Sequence, residues 1–343
     1  MIHGGNTYSQ KYDSGIIDFS SNINPLGPPG CLKKEMDKAY GDLTVYPDIH
    51  YRELKANIAA YLNCSSSEVI VGSGAVEIIS NICLMSKEVA VFTPCFSEYI
   101  KRAGVLGRKV KRFPLDKEFR IDFRYLEDGL KQGELLILGN PNNPTGLRIP
   151  EDDLKRIYEI VKKKDALLLL DEAFYEFCPE DYDSVELFRG KENVCVIRAA
   201  TKFFALPGIR LGYGVSSTAF AERYAEIESP WSINAYANAA ARCIFRDRQY
   251  IEETKAYINK ERKFLMGELS GIEWIKPYNS HTNFILIKLL RQDEDKVFEK
   301  FIGKGVMIRK ASNFEGLDGS YIRIAVKDRQ SNSKLIKIFK EFE

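Results

Sequence analysis

At 343 residues, with 45% hydrophobic and 29% charged side chains, the chain is long enough for a large core and for two domains. A net charge of +2 supplies no basic footprint for nucleic acid, and no apolar run approaches a membrane span. The seven cysteines include no Cys-x-x-Cys pair, which speaks against a zinc site and a disulfide framework, and no metal is expected. The polar start Met1-Ile2-His3-Gly4-Gly5-Asn6 does not read as a secretory signal, so a reducing cytoplasm is the expected home.

Residues 1–30 are rich in Gly, Asn, Ser and Pro and predict an extended arm with turns, relieved by a short strand at Ile16–Phe19. Helical patterning follows on either side of Val45-Tyr46-Pro47-Asp48. Val69–Val71 then reads as a strand, Gly72-Ser73-Gly74 as a turn and Ala75 onward as a helix. Such a turn presents free backbone N–H groups at a helix N-terminus. Most Gly-x-Gly sequences are only turns, so the signal is weak alone. An alternating rhythm continues through strands at Val89–Phe92, Leu135–Leu138, Ala166–Leu170, Val194–Ile197 and Leu211–Val215, with helices at Ser97–Leu106 and Pro150–Lys164. Continuous apolar strands separated by helices predict a mostly parallel sheet covered on both faces. After a long polar helix at Gln249–Leu269, the pattern changes to strands at Thr282–Lys288, Val306–Arg309 and Tyr321–Val326. The chain thus divides into a large α/β domain at 41–248 and a smaller α+β domain from 1–40 and 249–343.

Ligands in parallel sheets sit at the carboxyl ends of the strands, and Asn143, Asp171 and Lys202 all follow strand ends. Lys202 lies between Thr201 and two phenylalanines. An apolar setting lowers a lysine's pKa and makes the amine nucleophilic towards carbonyls, which is what the Schiff base of pyridoxal 5'-phosphate (PLP) needs. The bland alternative is a lysine snorkelling at a strand end. Asp171 can pair with the pyridine nitrogen, or merely cap a turn. Asn143 can donate to the phenolic oxygen, or merely build its Asn-Pro turn. Phe96 suits a stacked ring, or plain core. Gly74, the N–H groups of Ala75 and Val76, Thr201 and Arg210 can together hold a phosphate.

These motifs resemble the fold-type I PLP-dependent enzymes, in the branch that holds the histidinol-phosphate aminotransferases. The resemblance runs nearly end to end, through Gly72–Glu77, Asn140–Gly146, Asp171–Ala173 and Thr201–Arg210 in that order. It implies the PLP-dependent transferase fold, with Lys202 and Asp171 as catalytic residues. It implies that Tyr46, in Tyr46-Pro47-Asp48, reaches the cofactor phosphate of a partner subunit in a homodimer with composite sites. It also implies that Arg323 holds a substrate anion.

Two positions depart from the aminotransferases: Phe174 stands where they carry Tyr, and Ala199 where a hydroxyl residue often helps hold the phosphate. Tyr175 does not substitute, since adjacent strand-like side chains point oppositely. Phe174, Pro207-Gly208, the amino-terminal arm and Arg309–Phe314 are similar to the threonine-phosphate decarboxylases of cobalamin biosynthesis. That similarity implies decarboxylation of L-threonine O-3-phosphate, with Arg309 and Arg323 gripping the anions and His3, Asn6 and Asn24 closing over them. A histidinol-phosphate or related aminotransferase is the alternative, and a non-catalytic PLP-fold binding protein is a rival of another class. Partners other than a small phosphorylated amino acid and a second copy of the chain, such as nucleic acid or membrane, are not expected.

Overall fold

The structure, a computed structural model, describes residues 4–5 and 15–342. His3 and Asn6 lie outside the described residues. The arm enters as a two-residue strand, β1 (Ile17–Asp18). The apolar stretches further along become β2 (Val69–Gly72), β3 (Glu88–Thr93), β5 (Leu135–Gly139), β6 (Leu167–Asp171), β7 (Val194–Ala199) and β8 (Gly212–Val215), and a further strand, β4 (Lys109–Pro114), forms where none is expected. They form one seven-stranded sheet in the order β2-β8-β7-β6-β5-β3-β4. β8 runs antiparallel to both neighbours, while β7, β6, β5, β3 and β4 pair in parallel.

Both faces are covered, as continuous apolar strands require. Leu136 and Leu138 of β5 enter one core and Leu135 and Ile137 the other, on opposite faces of the sheet. The edge strand β4 carries Lys109, Lys111 and Arg112 and so escapes an apolar-pattern search. Charged side chains are one means by which an exposed edge avoids pairing with other chains.

Beyond the helix Arg248–Ser270 lie β9 (Ile275–Pro277), β10 (Phe284–Leu289), β11 (Val306–Met307), β12 (Arg309–Lys310) and β13 (Tyr321–Ala325). Four of them make an antiparallel sheet in the order β12-β13-β10-β9, whereas β11 pairs in parallel with β1. The single strand expected over Val306–Arg309 is therefore corrected to two, broken at Ile308. The arm is the reason: Phe19 N–H donates to Met307 O at 2.7 Å and Ala325 N–H to Phe19 O at 2.8 Å, so the arm seats between β11 and β13. No helix among the described residues is long and apolar enough to cross a membrane.

The carboxyl ends of β5, β6 and β7 are tied by a buried polar cluster. Arg198 Nε and Nη2 donate to Glu172 Oε2 at 3.1 and 2.9 Å, and Nη2 donates also to Asp183 Oδ1 at 2.6 Å. Asn140 Nδ2 donates to Glu172 Oε1 at 3.1 Å. The Tyr175 ring lies 3.5 Å from the guanidinium carbon of Arg198. Breaking a buried ion pair leaves a charge without its partner, which typically costs about 3–5 kcal/mol. Arg198→Met is accordingly expected to lose about that much stability in guanidinium-chloride unfolding; an unchanged midpoint would mean that other contacts hold the strand ends.

Candidate active site

A cavity of about 240 Å³ opens beyond this cluster, between the two sheets. Strand ends deliver its chemistry. Asn143 follows β5, Asp171 ends β6, and Thr201 and Lys202 follow β7; all four line the cavity.

Lys202 keeps some exposed surface at the cavity, yet its amine is ringed by protein. Burial, then the charges of Arg323 and Arg210, push its pKa down to about 8. A far larger share of the amine is therefore free near neutrality than in an ordinary lysine. Asp171 is buried, and burial raises its carboxyl. Tyr99 O–H donates to its Oδ2 at 2.7 Å and Ala173 N–H to its Oδ1 at 3.1 Å, and both oppose that rise by favouring the carboxylate.

Tyr99 is a site residue that the sequence reading missed. The available signal was its place three residues after Phe96, since the helix Ser97–Val105 brings such positions onto one face. The two rings meet edge to face at 5.6 Å, and both line the cavity.

The glycine turn and Arg210 pack directly together. A Cβ on Gly74 would stand 2.1 Å from Arg210 Nη2, and one on Gly212 would stand 2.5 Å from the N of Ala75. Only glycines allow this approach, and Gly74 has φ +83°. Ala75 and Val76 line the cavity at the first turn of the helix Ala75–Leu84, where backbone N–H groups have no intrahelical acceptor. Arg210 itself sits at φ 60°, a conformation uncommon outside glycine and one that the surroundings must enforce. The turn amides, the Thr201 hydroxyl and the Arg210 guanidinium thus border one cavity and form a cradle suited to a phosphate. With Lys202 and Asp171 beside it, the residues fit PLP.

Opposite stand Arg309 and Arg323, cross-strand partners on β12 and β13 and both buried. Arg323 donates to Asn143 Oδ1 at 2.5 Å, to Asn22 Oδ1 at 2.9 Å and to Ser20 O at 3.0 Å, all neutral acceptors. Burial, then Arg309, lowers its pKa to about 9. Because the Asn143 oxygen is engaged, its amide N–H groups are the polar atoms left for a ligand.

Asn24, expected to close over the substrate, does not line the cavity. Its Nδ2 donates to Phe203 O at 2.9 Å, Tyr250 Oη at 2.8 Å and Thr254 Oγ1 at 3.2 Å. Its Oδ1 accepts from Leu26 N–H, a side-chain turn that aims it at the helix Arg248–Ser270. Asn22 occupies the cavity wall instead. Phe174 also faces the cavity, and Tyr175 turns away to Arg198, as expected, although it opens a short 3-10 turn and not a strand. Ala199 lines the wall as well, while Tyr46 is exposed on the surface and is no part of its own chain's cavity.

The electrostatics carry a pH dependence. Only the free amine attacks an aldehyde, so in cofactor-free protein reductive alkylation of Lys202 should rise with pH and reach half its maximum near about 8. Arg323→Gln removes a nearby positive charge and should move that midpoint upward. Peptide mass spectrometry measures both, and a midpoint near that of ordinary lysines would contradict the assignment.

Residues 14–339 match the aminotransferase class I and II family. A provisionally named threonine-phosphate decarboxylase from Caldanaerobacter subterraneus subsp. tengcongensis is 40% identical over 341 residues, covering 98% of this chain and 92% of that one. The threonine-phosphate decarboxylase of Salmonella typhimurium is 30% identical over 344 residues, covering 97% and 94%. The crystal structure of the histidinol-phosphate aminotransferase from Clostridium acetobutylicum superposes with a TM-score of 0.90 at 34% identity, covering 94% of this chain and 98% of that one. With the mostly parallel sheet, and with a lysine, an aspartate and a phosphate cradle at its carboxyl edge, the chain belongs to the class I and II aminotransferase family of PLP-dependent enzymes.

Proposed function

We propose that the protein decarboxylates L-threonine O-3-phosphate to (R)-1-amino-2-propanol O-2-phosphate and CO₂, as in cobalamin biosynthesis. The observation that carries this reading is the Arg309–Arg323 pair, two buried guanidinium groups on the cavity that also holds Lys202. Like charges directly across a ladder repel, and burying them adds to the cost. A ligand with two anionic groups relieves that cost, and a phosphorylated amino acid is such a ligand. The similarity to the Caldanaerobacter and Salmonella proteins and the Phe174 side chain in the wall support the same reading.

Bound PLP would supply an electron sink for a breaking bond at the amino acid's Cα. Ala75, Val76, Thr201 and Arg210 would hold its phosphate, and Asp171, fixed by Tyr99, would keep the pyridine nitrogen protonated. The Asn143 amide would donate to the phenolic oxygen, and Phe96 would cover the ring. Arg323 and Arg309 would take the substrate's two anions and so orient its carboxylate. Lys202 would deliver a proton to Cα in place of the departing CO₂.

A histidinol-phosphate aminotransferase is the second reading, supported by the overlay on the Clostridium enzyme. The two separate cleanly in one assay. With no 2-oxo acid present, L-threonine O-3-phosphate should release CO₂ over many turnovers, and histidinol phosphate with 2-oxoglutarate should react poorly. The reverse pattern would establish the aminotransferase. Arg323→Ala should lower kcat/KM by about 2–5 kcal/mol equivalent, the usual range when a buried charge pair loses one member.

The protein is further proposed to act as a homodimer. Tyr40, Leu43, Val45, Tyr46, Ile49 and Trp231 are all exposed, and Tyr46 packs on Trp231 at 4.9 Å between ring centroids. An apolar surface of this kind marks an interaction site. If Tyr46 completes the partner subunit's phosphate cradle, Tyr46→Phe should weaken PLP retention by about 1–3 kcal/mol, and sedimentation should show a dimer. A fully active monomer would exclude the composite site.

A further inference from the structure

Arg309 stands on a strand of only two residues, β12, whose ladder offers little to hold it. The strand runs directly into a turn, with Phe314 N–H donating to Ala311 O at 3.0 Å. This turn is anchored from outside the cavity by Glu294, in the first turn of the helix Glu294–Gly303. Glu294 is buried, at 4% exposure, and does not line the cavity. Its Oε2 accepts from Ala311 N–H at 2.7 Å and Ser312 N–H at 3.0 Å, and its Oε1 accepts from the Ser312 hydroxyl. Its own N–H donates to Gly319 O at 2.8 Å, which ties the helix start to the far end of the same loop. Beside it, Asp295 accepts from Lys310 Nζ at 2.7 Å.

The anchored segment presents two groups to the cavity. Arg309 Nη2 donates to Asn313 Oδ1 at 2.9 Å, within the same segment. The Phe314 ring centroid lies 5.5 Å from the guanidinium carbon of Arg309 and 5.8 Å from that of Arg323. An aromatic ring within reach of two cations attracts both and offsets part of their repulsion. Both the Arg309–Asn313 bond and the Phe314 ring depend on where residues 311–314 run.

We propose that Glu294 is a positioning residue for the anion site: by holding the Ala311–Ser312 turn it sets where Arg309 and Phe314 stand, and so fixes the distance between the two guanidinium groups that a doubly anionic substrate must span. The inference rests on the reading that Arg309 takes a substrate anion. It goes beyond that reading in assigning the geometry of the grip to a carboxylate that touches no ligand. The same carboxylate also acts through charge, since Glu294 counters the fall in the Arg309 pKa that burial brings.

Two substitutions separate the roles. Gln at 294 can still accept both N–H bonds through its carbonyl and keeps the turn, whereas Ala cannot. Glu294→Ala is expected to raise KM for L-threonine O-3-phosphate by about tenfold, the equivalent of one lost hydrogen-bonding contact, with kcat little changed. Glu294→Gln should restore most of the affinity. In an Arg309→Ala background, Glu294→Ala should add at most a small further loss, because only the Phe314 contact to Arg323 is left to position. Ser312→Ala, which removes one of the three bonds and leaves the carboxylate, provides a milder variant should Glu294→Ala fold poorly, and should raise KM by a smaller factor. Titration of the holoenzyme with inorganic phosphate gives the same comparison without turnover. If the wild type released no CO₂ but phosphate affinity fell in Glu294→Ala and not further in the double variant, the decarboxylase reading would fail and the positioning role would stand. An equal loss with and without Arg309, or a lower melting temperature with unchanged KM and phosphate affinity in all variants, would overturn it.

Discussion

The ion pair between Arg198 and Glu172 is the constraint on which the site depends. It lies where β6 and β7 end, and Asn140 brings the end of β5 to the same carboxylate. The residues near this knot in sequence include Pro141, Asn143, Asp171, Ala173 and Ala199, all of which line the cavity. A buried pair of this kind adds little net stability over an apolar alternative, because desolvation offsets most of the Coulomb gain. Its value here is geometric, since it holds three strand ends in one register while the chain leaves them in different directions.

The cavity built on that edge is short of negative charge. Among the described residues that line it, Asp171 is the one carboxylate, and it is already engaged by Tyr99 and the Ala173 N–H. Against it stand Lys202, Arg210, Arg309 and Arg323. Burial and mutual repulsion depress the pKa of Lys202 and of Arg323. The same fields that make the amine nucleophilic make the site receptive to anions. A cofactor phosphate on one side and an anionic substrate on the other would complete the charge balance. The cost of assembling cations in low dielectric is thus carried by the fold and relieved by ligands.

The smaller sheet contributes by a different principle. Its cavity-facing arginines sit on adjacent short strands, and their surroundings come from distant segments: the arm through Ser20 and Asn22, the Asn143 turn, and Glu294 behind the Ala311–Ser312 turn. β12 has too few ladder bonds to orient Arg309 by itself, so neighbouring carboxylates and amides do so. Substrate-facing geometry is therefore held by side-chain bonds between segments far apart in the chain, whereas the residues fitted to the cofactor ride on regular strand ends and helix starts.

That difference accounts for what was legible in the sequence. Strand ends and a glycine turn are local patterns, so the parallel sheet and the convergence of Asn143, Asp171, Lys202 and Arg210 followed from periodicity and motif order. Phe174 and Tyr175 point apart as expected, but through the start of a short 3-10 turn and not through strand alternation. Nothing local distinguishes Asn22 from Asn24 in one extended segment; a turn and the helix Arg248–Ser270 decide which of them faces the cavity. Tyr99 acts through one hydrogen bond to a residue 72 positions away, and Glu294 through three to residues 17 and 18 positions away. The break at Ile308 exists because β1, far earlier in the chain, captures β11. By itself the sequence determined the apolar strands of the large sheet and brought Asn143, Asp171 and Lys202 to their ends, because short-range periodicity and backbone conformation set those positions. Only the tertiary structure decided which polar side chains surround Arg309 and Arg323, because that choice is made by contacts between segments that meet on folding.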